Sequence, residues 1–199
     1  MAKAKARKKT EAAPPDDLGL RVGEAILDII GNVPKSGLSA ADDPELRAKR
    51  SISLATMKAA AVSGALALPS GPVGFLTIIP DLVIVWKLQA RLVTDMAAVF
   101  GQEKRLTQEA LLYCLFHHAA ADELRDVAER VGGRIVFRKA TAAVLGKVAR
   151  DVGLRMAQRM LRRALARVIP LLGAIGVGAY AYYDTACVGK TTLEFLKRS

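Results

Sequence analysis

The sequence predicts an all-α protein: a compact bundle of about six to eight helices, with a central apolar helical hairpin and a small-residue-rich C-terminal helix. Three observations point there. Apolar residues recur at helical spacing, and no stretch alternates with period two for long enough to build a sheet. Helix-capping and helix-stopping residues punctuate the chain. Of 199 residues, 52% are apolar and only 5% aromatic, with a mean hydropathy of +0.23, enough to bury a sizeable core and too greasy for a wholly disordered chain.

The elements follow in order. Residues 1–16 read as a disordered basic tail and 17–199 as a single helical domain. Asp16 and Asp17 can cap a helix over 18–31, which Gly31 and Asn32 end. Asp42-Asp43-Pro44-Glu45 is a strong helix start, with an acidic cap and proline in the first turn, and that helix runs to about Leu68. Residues 59–80 form a 22-residue uncharged stretch. Pro69-Ser70-Gly71-Pro72 breaks it, so each leg is too short to cross a bilayer, whose apolar core needs about 30 Å of helix. A hairpin results, buried in the protein or dipping into one leaflet through Leu66, Leu68, Pro69, Pro72, Phe75 and Leu76.

Pro80 opens or kinks the next helix, which carries Asp81 through Phe100 and stops at Gly101. Thr107 caps a helix over 108–119, and another is expected over about 122–131, ending at Gly132-Gly133. Helical segments then cover about 135–149, 151–168 and 170–197, with Pro170 at the last junction. Residues 168–183 are again uncharged, but 16 residues make only about 24 Å of helix. Gly176, Gly178, Ala179 and Ala181 give this last helix a small-residue surface that lets a neighbour approach closely, as a buried central helix would need.

The formal charge of +11 is concentrated. Lys3, Lys5, Arg7, Lys8 and Lys9 sit in the tail, residues 10–133 carry a net −4, and residues 134–167 carry a net +9. At about 100° per residue, Arg155, Arg159, Arg162, Arg163 and Arg167 fall on one arc, with Leu154, Ala157, Leu161 and Leu165 opposite. Such a face suits anionic headgroups, and it is equally what a solvated helix facing the acidic body would show. The tail suits lipid or nucleic acid, or simple solubility. No apolar run of signal-peptide length follows it, so the expected location is the cytoplasm.

Catalytic and metal signatures are weak. Val188-Gly189-Lys190-Thr191-Thr192 resembles the end of a phosphate-binding loop, but position 184 is Asp where that loop needs Gly. His118 and Asp122 can share a helix face, and His117 lies three residues from Cys114, yet neither pair completes a metal site or an activated nucleophile. Cys114 and Cys187 lie in apolar runs and read as reduced core thiols. The expectation is a non-enzymatic protein with no metal and no cofactor.

Several of these segments resemble the bacterial EcsC family. Leu68-Pro69-Ser70-Gly71, Pro80-Asp81, Phe100-Gly101 (where the family tends to have Tyr-Gly) and Ile169-Pro170-Leu171-Leu172-Gly173-Ala174 are similar to its short motifs over about 45–197. Tyr180, Tyr182 and Tyr183 depart from it, occupying the neighbourhood of an expected Asn. Thr185-Ala186-Cys187-Val188-Gly189 instead looks like the YcjF-type membrane-associated domain. Both resemblances imply an all-helical bacterial protein linked to membranes, and neither supplies catalytic residues. The expected function is thus peripheral: binding of an anionic membrane surface at the cytoplasmic face through the basic helix and tail. The alternative is a soluble helical adaptor or carrier for a hydrophobic ligand or a partner helix. Nucleic acid is expected to bind only non-specifically, at low salt, because the arginine face carries no aromatic stacking platform.

Overall fold

The computed structural model describes residues 15–67, 78–131, 134–164 and 170–198, with side chains throughout except at 15, 16, 78, 160–164 and 170–174. Six α-helices make up most of it: α1 (Pro15–Gly31), α2 (Pro44–Leu66), α3 (Ile78–Val99), α4 (Gln108–Ala120), α5 (Ala142–Ala164) and α6 (Pro170–Lys197). A 3₁₀ turn at Glu103–Arg105 follows α3. An antiparallel hairpin, β1 (Ala128–Val131) and β2 (Arg134–Phe137), separates α4 from α5. The all-α class is as the sequence predicts.

Local chemistry sets the boundaries. Asp43 caps α2, its side chain accepting from the Leu46 N–H at 3.0 Å, with Pro44 in the first turn. Thr107 caps α4 through the Ala110 N–H at 3.3 Å. Gly101 stops α3 in the left-handed region, φ +66, where a side chain would be strained. Its neighbour Gln102 then donates back to the Ala97 carbonyl at 2.8 Å.

Two expectations are corrected. Residues 121–127 are turns, and 128–131 pair as a strand with 134–137, in the register Ala128↔Phe137 and Val131↔Arg134. Gly132-Gly133, which reads as a helix end, is equally the dipeptide of a two-residue hairpin connection, here ahead of the β-branched pair Ile135-Val136. The strands are four residues each, too short for a period-two pattern to register. The segments expected over 135–149 and 151–168 are one helix from residue 142, running through Asp151 and Gly153 without a break.

α3 and α4 form the buried centre. The outward-facing pairs α1–α5 and α2–α6 pack around them. α4 buries ten consecutive or near-consecutive residues from Glu109 to Ala120, as a helix apolar all round must. Trp86 of α3 stands edge-on to Phe116 of α4, with ring centroids 5.1 Å apart, so the single tryptophan is a core residue.

Both outer pairs are antiparallel and close through glycine. A methyl group at Gly153 would lie 2.6 Å from the Gly19 carbonyl oxygen and 2.7 Å from the Gly23 nitrogen. One at Gly178 would lie 2.9 Å from the Ala60 carbonyl oxygen, so the small-residue face of α6 does bring a helix backbone into contact. Ala59, Val85 and Ala181 meet where α2, α3 and α6 come together, and Ser63 of α2 donates to Asp81 of α3 at 2.9 Å. The end of α2, the start of α3 and the start of α6 therefore share one end of the bundle. The apolar hairpin's tip (Leu68, Pro69, Pro72, Phe75 and Leu76) lies outside the described residues.

Candidate functional site

The strongest polar constellation is in the core. Asp184 of α6 is buried, and three side chains converge on its carboxylate. Gln89 of α3 donates from Nε2 to Oδ2 at 2.8 Å, His118 of α4 meets Oδ1 at 2.8 Å, and Tyr180, one turn earlier in α6, donates to Oδ1 at 2.8 Å. The Gln89 amide also donates to Thr185 Oγ1 at 3.1 Å. Burial opposes the charge on Asp184. The hydrogen bond and charge of His118, then the bonds from Gln89 and Tyr180, outweigh it and hold the carboxyl below its ordinary 3.8. An ionised Asp184 requires the His118 proton on Nε2. His118 Nδ1 and Gln89 Oε1 are then buried atoms without a hydrogen-bond partner among the described residues.

The cluster ties three helices together, and His118 does not pass its hydrogen bond on to a hydroxyl or thiol. His117 points elsewhere, stacked on Tyr113 with centroids 4.3 Å apart. Burial first, and the nearby Arg130 cation second, lower its pKa from the ordinary 6.5. Burial pushes the Cys114 thiol up to about 12, which removes it as a nucleophile near neutral pH. His118 is paired with Asp184 rather than with Asp122, which forms an ion pair with Arg125 at 2.9 Å. Among the described residues, no group of three or more His, Cys, Asp or Glu side chains is placed to hold a metal ion.

The arginine face of α5 is the second constellation. Arg155 forms an ion pair with Glu123 from the turn after α4, which supports the reading of this face as paired with the acidic body. Arg159 is half-buried one turn further along and forms no ion pair among the described residues. Both line an open groove of about 570 Å³ together with Glu123, Asp151, Leu154 and Gln158. The side chains of Arg162 and Arg163, and the whole of Arg167, lie outside the described residues. So do Lys3, Lys5, Arg7, Lys8 and Lys9 of the tail. Leu66, the first of the expected hairpin contacts, is half-buried at the end of α2.

Sequence reading missed the Asp184 cluster. Its one available signal is position: Asp184 lies three residues after Ala181 and four before Val188, both core-facing, so a charge there has to be buried and partnered. Gln89 and His118 come from helices far away in the chain, and nothing in the sequence links them to it.

No family model matches the chain, and no curated protein and no solved structure is detectably similar to it.

Proposed function

We propose that the chain is a peripheral protein of an anionic membrane surface, at the cytoplasmic face and of the EcsC-like type that its sequence resembles. It acts by binding rather than by catalysis. One observation supports the reading: the described parts of the chain's two uncharged stretches meet at one end of the bundle, while Arg159 on the arginine face of α5 forms no ion pair among the described residues. The described parts of 59–80 and 168–183 meet there, through Ser63 with Asp81 and Gly178 with Ala60. α5 ends within reach of the start of α6. Six chain steps join Ala164 to Pro170, at most about 22 Å. Gly19, near the start of α1, lies against Leu154 of α5.

Apolar surface combined with basic residues matches the chemistry of an anionic bilayer surface, where burial of apolar surface and charge attraction add. Each cation near such a surface contributes about 1 kcal/mol. No helix among the described residues is long and apolar enough to cross a membrane, and the proposed contact does not require one. The test is co-sedimentation of the Arg159→Glu chain with anionic vesicles. Reversing this charge should weaken binding about tenfold or more relative to the unaltered chain. Unchanged binding would remove the arginine end of α5 from the contact.

A further inference from the structure

The α2–α6 pair carries a concentration of exposed apolar side chains that packing does not explain. Leu46, Leu54 and Met57 of α2, and Ile175, Tyr182 and Tyr183 of α6, are all exposed, Met57 by 62% and Tyr183 by 64%. These six are the majority of the large exposed apolar residues among the described residues. Their spacing places them together. Met57 precedes Ala60 by three residues, Ile175 precedes Gly178 by three, and Tyr182 follows Gly178 by four. Ala60 and Gly178 are the contact between the two helices, so Met57, Ile175 and Tyr182 flank that seam on its outer side.

The charges on this face have one sign. Arg47, Lys49, Arg50 and Lys58 of α2 and Lys190 of α6 are exposed and form no ion pair among the described residues. The carboxylates of the two helices are engaged elsewhere: Glu45 with Lys197 at 2.8 Å, Asp184 with His118, and Glu194 towards Arg130 at 4.0 Å. A second copy of the chain would set these cations against themselves. The Gly178–Ala60 contact brings the two helix backbones together, so the exposed apolar side chains of both helices line one surface. A flat anionic surface fits both features, and tyrosines beside an apolar stripe and lysines are the composition of a membrane–water boundary.

We infer that the lipid-contacting surface extends from the end of the bundle where the uncharged stretches meet along the α2–α6 face. The bundle then lies with these two helices along the membrane, Met57, Ile175 and Tyr182 entering the headgroup layer and Lys58 and Lys190 meeting anionic headgroups. This rests on the membrane reading above and extends its contact along one side of the bundle.

The experiment uses the full chain with vesicles of phosphatidylglycerol in phosphatidylcholine. It compares the unaltered chain, Met57→Ser/Tyr182→Ser, Lys58→Glu/Lys190→Glu and Arg159→Glu, with the circular dichroism of each checked to show that the exposed substitutions leave the fold intact. Each double variant should bind about tenfold more weakly or worse. If the unaltered chain binds and both double variants bind equally well, the face is overturned while the membrane reading stands. If the unaltered chain does not bind, the membrane reading itself fails. If light scattering shows a dimer that Met57→Ser/Tyr182→Ser converts to a monomer, the face is a contact between copies and the inference is wrong. Capture of an acidic protein by this face, with vesicle binding unaffected by either double variant, also overturns it.

Discussion

His118 and Asp184 meet 2.8 Å apart in the middle of the bundle and join α4 to α6 by a charge-assisted hydrogen bond. Gln89 brings α3 to the same carboxylate. A buried carboxylate accepting from three side chains fixes how these helices sit against one another, and its loss leaves the donors stranded. Asp184→Ala should therefore destabilise the fold by about 3 kcal/mol or more, with Asp184→Asn costing less because the amide oxygen still accepts. Urea unfolding followed by Trp86 fluorescence measures both, and a cost below that of an ordinary surface change would show the cluster to be incidental.

Acid should weaken the fold in two separate windows. His117 has a folded pKa lowered by burial from 6.5, so the unfolded chain takes up a proton first and stability falls as the pH drops below about 6.5. Asp184 is held below its ordinary 3.8, so its contribution is complete above that value and is lost as the pH falls through the lower folded pKa. Melting temperatures from pH 8 to pH 3 check this. His117→Phe, which keeps a ring against Tyr113, should flatten the upper window and leave the lower one.

Gly153 tests the close approach of α1 and α5. A methyl group there would meet backbone atoms of Gly19 and Gly23 at 2.6 and 2.7 Å, and backbone cannot rotate away. Gly153→Ala should cost about 2 kcal/mol or more, although alanine is the better helix former by about 1 kcal/mol. Gly146 on the same helix has nothing within 4 Å of the added methyl, so Gly146→Ala should be neutral or stabilising. Thermal unfolding of the two variants should move in opposite directions.

The cysteines should separate by burial. Cys114 is wholly buried with its thiol pushed up to about 12, whereas Cys187 is half-buried on α6. A thiol-specific reagent at pH 8 should modify Cys187 in the native protein and reach Cys114 only on unfolding. Equal, rapid reaction of both thiols would contradict the packing around α4.

The fold was legible where one residue type decides a boundary. Asp43 with Pro44, Gly101 and Thr107 act through their nearest neighbours, so the chain itself displays the helix ends. The hairpin at 128–137 was not, because its strands are four residues long and Gly132-Gly133 ends a helix as readily as it turns a hairpin. Gly153 reads as a weak point in a helix, yet it is the contact that α1 requires. The arginine periodicity of α5 was visible, but that Arg155 is spent on Glu123 depends on a turn more than thirty positions earlier. The exposed α2–α6 face was equally hidden: Met57 and Tyr182 look like core residues until the close contact of Ala60 with Gly178 shows which sides of these helices remain outside.

Binding of the full chain to anionic and to zwitterionic vesicles across a salt series tests the central claim most directly. Binding should occur with phosphatidylglycerol-containing vesicles, be absent with phosphatidylcholine alone, and weaken steadily as salt rises past a Debye length of about 8 Å at physiological ionic strength. Equal binding to both vesicle types, or binding to neither, would contradict it.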